Sequence, residues 1–169
     1  MSAMAGVSIR PAEETEVGLV LQFIRELAEF EHLTHEVVAT EDALRRTLFG
    51  ERRFAEVVFA CVGGAPVGFA LFFHSFSTFL ARPGIYLEDL YVKPALRGRG
   101  VGGALLSWLA RAALERGCGR LEWAVLDWNE AAIGFYHKLG AVVRDEWKTC
   151  RVDGIALARL AERLAARRG

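Results

Sequence analysis

Between Val17 and Ala28 the apolar residues Val17, Val20, Leu21, Ile24, Leu27 and Ala28 recur at i, i+3, i+4 and i+7, one stripe of an α-helix, and the spacing predicts a helix over 17–31. Before it, Val7-Ser8-Ile9-Arg10 reads as a short strand, and Pro11 opens a connection. Thr40 is placed to cap a second helix carrying Leu44 and Leu48, with Gly50 near its end. The period then changes. Phe54–Val62 is rich in β-branched and aromatic residues and reads as a strand, and Gly63-Gly64 is a hairpin turn into a strand over Pro66–Phe76. Ile85–Val92 is a further strand, stopped by Pro94. Val101, Leu105, Leu109 and Ala112 then line one face of a helix over Gly100–Arg116, ended by Gly117 and Gly119. Leu121–Leu126 reads as a strand, Ala131–Leu139 as a short helix stopped by Gly140, and Trp147–Val152 as a last strand. Asp153 is placed to cap a final helix with Leu157, Leu160, Ala161 and Leu164 on one face.

Strands meet as hairpins in the middle of the chain and through helices afterwards. That order predicts an α/β (α+β mixed) fold, a mixed twisted sheet with helices on both faces. No linker, repeat or low-complexity stretch interrupts it, so residues 1–169 are expected to form a single domain.

Composition narrows the function. With 53% hydrophobic and 25% charged residues the chain is not of the disordered class. The 21 basic and 21 acidic residues balance, against a general nucleic-acid binder, which carries a basic excess. No apolar run is long enough to span a bilayer, and the opening Met1–Gly6 has no secretory character, so a cytoplasmic protein without a membrane partner is expected. Cys61, Cys118 and Cys150 are odd in number and widely spaced, as expected of reduced and mostly buried thiols. Charge is uneven along the chain: residues 11–42 hold nine acids and one base, whereas 93–120 hold six bases and one acid. Two solvated helix faces would account for this; bordering a common cleft, the segments would attract a cation and an anion.

The densest chemistry lies in Leu87-Glu88-Asp89-Leu90-Tyr91-Val92-Lys93-Pro94-Ala95-Leu96-Arg97-Gly98-Arg99-Gly100-Val101-Gly102-Gly103, a strand running through a glycine-rich loop into an amphipathic helix. Backbone N–H groups in such a loop approach a phosphate closely, and the first helical turn adds unpaired donors and a positive dipole end. Two templates fit. Gly98, Gly100 and Gly103 satisfy G-x-G-x-x-G, the dinucleotide fingerprint; Arg97, Gly100 and Gly102 satisfy R-x-x-G-x-G, a coenzyme A pyrophosphate loop. The dinucleotide loop normally follows its strand at once and opens its domain, whereas here Lys93–Arg97 intervene, three or four strands come first and only 66 residues follow Gly103. An acidic residue does stand about 20 positions on, Glu122.

With Ile9-Arg10-Pro11-Ala12, Glu26-Leu27-Ala28-Glu29-Phe30-Glu31, Tyr86–Val92, the loop, Trp128-Asn129-Glu130, Phe135-Tyr136 and Gly140-Ala141 in view, the chain resembles the GNAT superfamily of acetyl-CoA-dependent N-acetyltransferases over nearly its whole length. Within it, the chain is similar to the diamine (spermidine/spermine) and thialysine acetyltransferase group. The resemblance implies acetyl-CoA as cofactor, a small cationic amine as substrate, direct attack in a ternary complex and a homodimer, with Trp147–Val152 and the last helix as part of the contact. It assigns Glu88 as general base and Tyr136 as general acid. It gives the cofactor to Leu90, Tyr91, Val92, Arg97, Gly98, Arg99, Gly100, Val101, Gly102, Gly103, Asn129 and Tyr136, and the amine to Phe30, Glu31, Glu88, Asp89, Glu122 and Glu146. It also implies a bulge in the strand before the loop, leaving the backbone of Leu90 and Val92 free to bond the thioester and pantetheine arm.

The chemistry suits these residue types. An alkyl amine has a pKa near about 10.4, so only about one molecule in 10³ is neutral at pH 7 and a base must take its proton. A phenol with a pKa of about 10 can protonate a leaving thiolate without being ionised at rest. By strand alternation Glu88 is expected on one side of its strand and Asp89 on the other. Each residue also has a plain structural alternative: a surface salt bridge for Glu88, a core aromatic for Tyr136, a helix N-cap for Asn129. The family's diamine enzymes often have Tyr where this chain has Phe30. His32 and His35 do not form a metal motif and no metal is assigned. Ser75–Leu80 reads as an exposed apolar segment bordering the substrate mouth or a dimer contact. A non-catalytic acyl-CoA sensor, an acetyltransferase of protein or peptide amines and a dinucleotide-dependent oxidoreductase using the same glycines stay open beside the small-amine enzyme.

Overall fold

The computed structural model describes residues 6–165, which fall into two compact units divided between Ala124 and Val125. The first holds strands β1 (Val7–Pro11), β2 (Glu56–Val62), β3 (Ala65–Ser77), β4 (Arg82–Val92) and β5 (Leu121–Trp123), with helices α1 (Val17–Phe30), α2 (Glu41–Leu44) and α3 (Val101–Glu115). Its sheet has the order β1-β2-β3-β4-β5, antiparallel except for the parallel β4–β5 pair. This is the mixed sheet that the alternation of hairpins and helices predicts.

Each link has a local cause. Gly63 and Gly64, at φ of 58° and 81°, supply the left-handed pair that a tight hairpin needs. Thr40 caps α2 by accepting from the Ala43 N–H at 3.2 Å, and the chain continues through a wide π-turn over Arg45–Phe49. β2 is covered on both faces, which explains its unbroken apolar run. Val57, Phe59 and Cys61 face α1, where Phe23 meets the rings of Phe69 and Phe59 at 5.5 and 5.9 Å. Residues one step out of phase face α3, where Phe72 meets Trp108 at 6.0 Å. Burying these large side chains removes about 1.5–3 kcal/mol of apolar exposure apiece and fixes the sheet's register.

β5 is shorter than its sequence suggests: the expected strand to Leu126 ends at Trp123. Its last pair is Leu87 with Trp123, because β4 becomes irregular immediately after Leu87 and the parallel ladder cannot continue.

The second unit holds α4 (Glu130–Lys138) and α5 (Gly154–Ala165). The strand expected over Trp147–Val152 is not formed; these residues are irregular and exposed. A strand exists by pairing, and this segment has no ladder partner among the described residues. The side chain of Leu164, expected on the apolar face of α5, lies outside the described residues. Cys61 and Cys118 are buried thiols and Cys150 an exposed one.

Candidate active site

The site of the first unit is built where α1 ends, β4 bends and α3 begins. α1 closes in a Schellman motif: the Leu33 N–H bonds the Ala28 carbonyl at 2.8 Å and the His32 N–H bonds that of Glu29 at 3.2 Å, with His32 left-handed at φ 61°. This stop fixes Phe30 and Glu31 at the helix end.

β4 carries a bulge. Phe72 faces Leu87, but its neighbour Leu71 faces Asp89, so Glu88 has no partner across the ladder. The extra residue changes the alternation. Leu87 and Asp89 lie on opposite faces although two apart, and Glu88 and Asp89 share one face. The expectation that they point to opposite sides is therefore corrected; it assumed a regular strand. Tyr86, two residues before Glu88, was not singled out by sequence, although strand period places it beside that carboxylate. Its phenol is pushed up by burial and then by the charges of Glu88 and Glu122.

The carboxylates sense one another. Asp89 is partly buried, and its pKa is pushed up to about 6, first by burial, then by the negative charges of Glu88 and Glu31. Burial also pushes Glu31 up. Glu88 itself is exposed. Glu122 lies opposite Tyr86 across the parallel pair, and its carboxylate is bound by Arg120 Nε at 2.7 Å. On the outer side of α1, Glu26, Glu29 and Glu41 border an open cleft of about 560 Å³ with Gln22, Arg25 and Thr34.

The backbone beyond the bulge is exposed on one edge. The Lys93 N–H bonds back to Val67 of β3 at 2.9 Å, so by the two-residue period the polar groups of Leu90 and Val92 face away from β3, past the point where β5 ends. The Tyr91 side chain instead enters the core beside Phe23, ring centroids 5.9 Å apart. Burial and the Glu26 carboxylate push its phenol up, with Arg97 acting the other way.

After a short 3-10 turn over Pro94–Leu96, Arg97 is extended and Gly98 and Gly100 are left-handed at φ 72° and 85°. α3 then starts at Val101 with no side-chain cap, and its first backbone bond runs from the Ala104 N–H to Gly100. The amides of Val101, Gly102 and Gly103 are thereby left without a helical acceptor, at the positive end of the helix dipole. A Cβ at Gly98 or Gly103 would meet nothing within 4 Å, so the approach to these donors is open. The donor set fits a pyrophosphate. Arg99 is exposed, with no ion pair among the described residues.

The second unit carries the remaining candidates. Asn129 caps α4, its Oδ1 accepting from the Ala132 N–H at 3.2 Å, and so fills the structural alternative given for it. Tyr136 lies on α4 with its ring 5.4 Å from that of Phe135. Glu146 is exposed and paired with Arg144, which lowers its pKa.

Comparisons with known proteins give the family. Residues 21–141 match the family model described as the acetyltransferase (GNAT) family, a match that crosses from one unit to the other. The chain is 43% identical to a thialysine N-epsilon-acetyltransferase of Bos taurus, covering 94% of this chain and 99% of that protein. It is 34% identical to an L-ornithine N5-acetyltransferase of Arabidopsis thaliana, covering 88% of this chain and 85% of that one. Among solved structures it is similar to an integron cassette protein from V. cholerae, with a TM-score of 0.77, 27% identity and coverage of 93% and 98%. The glycine loop, the uncapped helix and the bulged strand thus stand in a protein that belongs to the acetyltransferase (GNAT) family.

Proposed function

We propose that this protein moves an acetyl group from acetyl-CoA to the primary amine of a small cationic substrate, a diamine, polyamine or lysine analogue, by direct attack in a ternary complex. The observation that carries the reading is the bulge at Glu88, which sets Glu88 and Asp89 on one face, with Glu31 close enough to act on Asp89. Relatives named for thialysine and ornithine acetylation support the same substrate class.

Acetyl-CoA, when bound, supplies an activated thioester. The amides at the start of α3, with Arg99 and the backbone of the loop Arg97–Gly103, would hold its pyrophosphate, while the Arg97 side chain is turned onto Phe30 and the Val92 carbonyl. The outward backbone of Leu90 and the Val92 N–H would bond the thioester and pantetheine groups, the Val92 carbonyl being held by Arg97 Nε, and Asn129 would contribute near the start of α4. Phe30, Glu31, Asp89, Glu122 and Glu146 attract and orient the cationic amine. Glu88, exposed at the bulge, takes the ammonium proton directly or through a water, so that a neutral amine attacks. Tyr136 returns a proton to the departing thiolate. Residues 1–169 act as one domain in a cytoplasmic homodimer, with Trp147–Val152 and α5 in part of the contact.

The experiment is thiol release from acetyl-CoA against putrescine, spermidine, lysine, thialysine, ornithine, an aminoglycoside and a basic peptide. Rapid release with an aliphatic amine, cut in Tyr136→Phe, supports the reading. Release with the peptide alone would replace the substrate class. Bound coenzyme A with no release from any acceptor would favour a sensor.

A further inference from the structure

Arg97 belongs to the cofactor loop by sequence, yet its side chain turns toward the amine side. Its guanidinium carbon lies 4.5 Å from the centre of the Phe30 ring and 5.5 Å from that of Tyr91, and its Nε donates to the Val92 carbonyl at 2.9 Å. Phe30 is the last residue of α1, next to Glu31; Tyr91 and Val92 end the strand that carries Glu88 and Asp89. One side chain of the loop therefore touches both elements that build the amine subsite.

We infer that Arg97 is a positioning residue that fastens the amine-side end of α1 to the cofactor loop, so that Phe30 contributes to coenzyme A binding without touching the cofactor. The inference rests on the reading of Arg97–Gly103 as the cofactor loop. The contact set is specific to a guanidinium. A planar cation with several donors can lie against rings and bond a carbonyl at once, whereas an ammonium on a flexible stem keeps the charge and loses the arrangement. Gly98 sits immediately after Arg97 at φ 72° with open space around it, so no side chain of its own buttresses the turn there. The Arg97 contacts supply a fixed point at that place. Whatever binding gains from the fixed point, the amine end of α1 shares by reciprocity.

The test is a double-mutant cycle read as the Kd for coenzyme A, by calorimetry and with no amine present. Phe30→Leu removes the ring and keeps apolar bulk; Phe30→Tyr keeps the ring; Arg97→Lys keeps the charge. A cation over an exposed ring is worth about 0.5–1 kcal/mol, or about two- to fivefold in affinity. Phe30→Leu should weaken coenzyme A by that factor, Phe30→Tyr should restore the original Kd, and Phe30→Leu should have no further effect in Arg97→Lys protein. Unchanged binding in Phe30→Leu, or the same loss in both backgrounds, would overturn the inference. Because the cycle needs no acceptor, it reads independently of the amine panel: failed transfer with an intact cycle refutes only the substrate reading.

Discussion

Glu88 and Asp89 are consecutive residues of β4 and lie on the same face of the sheet, because Leu71 pairs with Asp89 where a regular ladder would give it Glu88. Two consequences follow from that single extra residue. One carboxylate, Glu88, stands out of the ladder and exposed. Its neighbour is held in a half-buried place beside it, with a pKa of about 6.

The elevation of Asp89 costs stability. Its folded pKa of about 6 exceeds the ordinary value of 3.8, so between those values the folded state holds a proton the unfolded state has released. Stability therefore falls as pH rises from about 4 to 6 and stays lower above it. Asp89→Asn should raise unfolding stability at pH 7.5 by up to about 2–3 kcal/mol, the gain shrinking toward pH 4. Urea unfolding at the two pH values checks it; a variant no more stable at either would show that the charge is compensated.

On the proposed function, the same titration should govern amine capture. Asp89 is anionic above about 6 and neutral below, so the KM for a cationic amine should climb as pH falls through that value. Glu31 is one of the charges that raise Asp89, so in Glu31→Gln the climb should begin at lower pH, whatever the variant does to the KM itself. A climb at the wild-type pH in that variant would exclude the coupling.

The cofactor loop depends on backbone that glycine alone adopts at no steric cost. Gly100, the N-cap of α3, is left-handed at φ 85°, and an alanine there is strained by about 1–2 kcal/mol. Gly100→Ala should raise the KM for acetyl-CoA about 5–30-fold while changing that of the amine much less. Steady-state kinetics varying each substrate separates the two.

A further stability test lies in the turn between β3 and β4. Ala81 there is left-handed at φ 49°. Ala81→Gly should stabilise the protein by about 0.5–1 kcal/mol. Thermal unfolding reads the gain, and a lower melting temperature would show that Ala81 makes contacts outweighing its strain.

Much of this was legible in the sequence. The α1 stripe, the Gly63-Gly64 turn and the Thr40 cap are local signals, and local interactions decide them. Gly98 and Gly100 marked the loop before α3, because its left-handed backbone favours glycine. What escaped is what pairing decides. The bulge is a mismatch between two strands and leaves no mark in β4 alone; the family resemblance implied it and the register bears it out, but the alternation argument took β4 as regular and put Asp89 on the wrong face. The end of β5 at Trp123 follows from the same bulge. Trp147–Val152 has strand-like residues but gains no ladder. The Phe30–Arg97 stack joins positions 67 residues apart, which spacing cannot reveal.

The most direct test of the account is the pH profile of kcat/KM for the best amine of the panel, in wild-type protein and in Glu88→Gln. If Glu88 removes the ammonium proton, the variant loses about 10²–10⁴-fold at pH 7. The gap then narrows steadily toward about pH 10, where the amine loses its proton unaided. Activity within about twofold of wild type at pH 7, or a gap of constant size across the whole range, would contradict the assignment of Glu88 as the base.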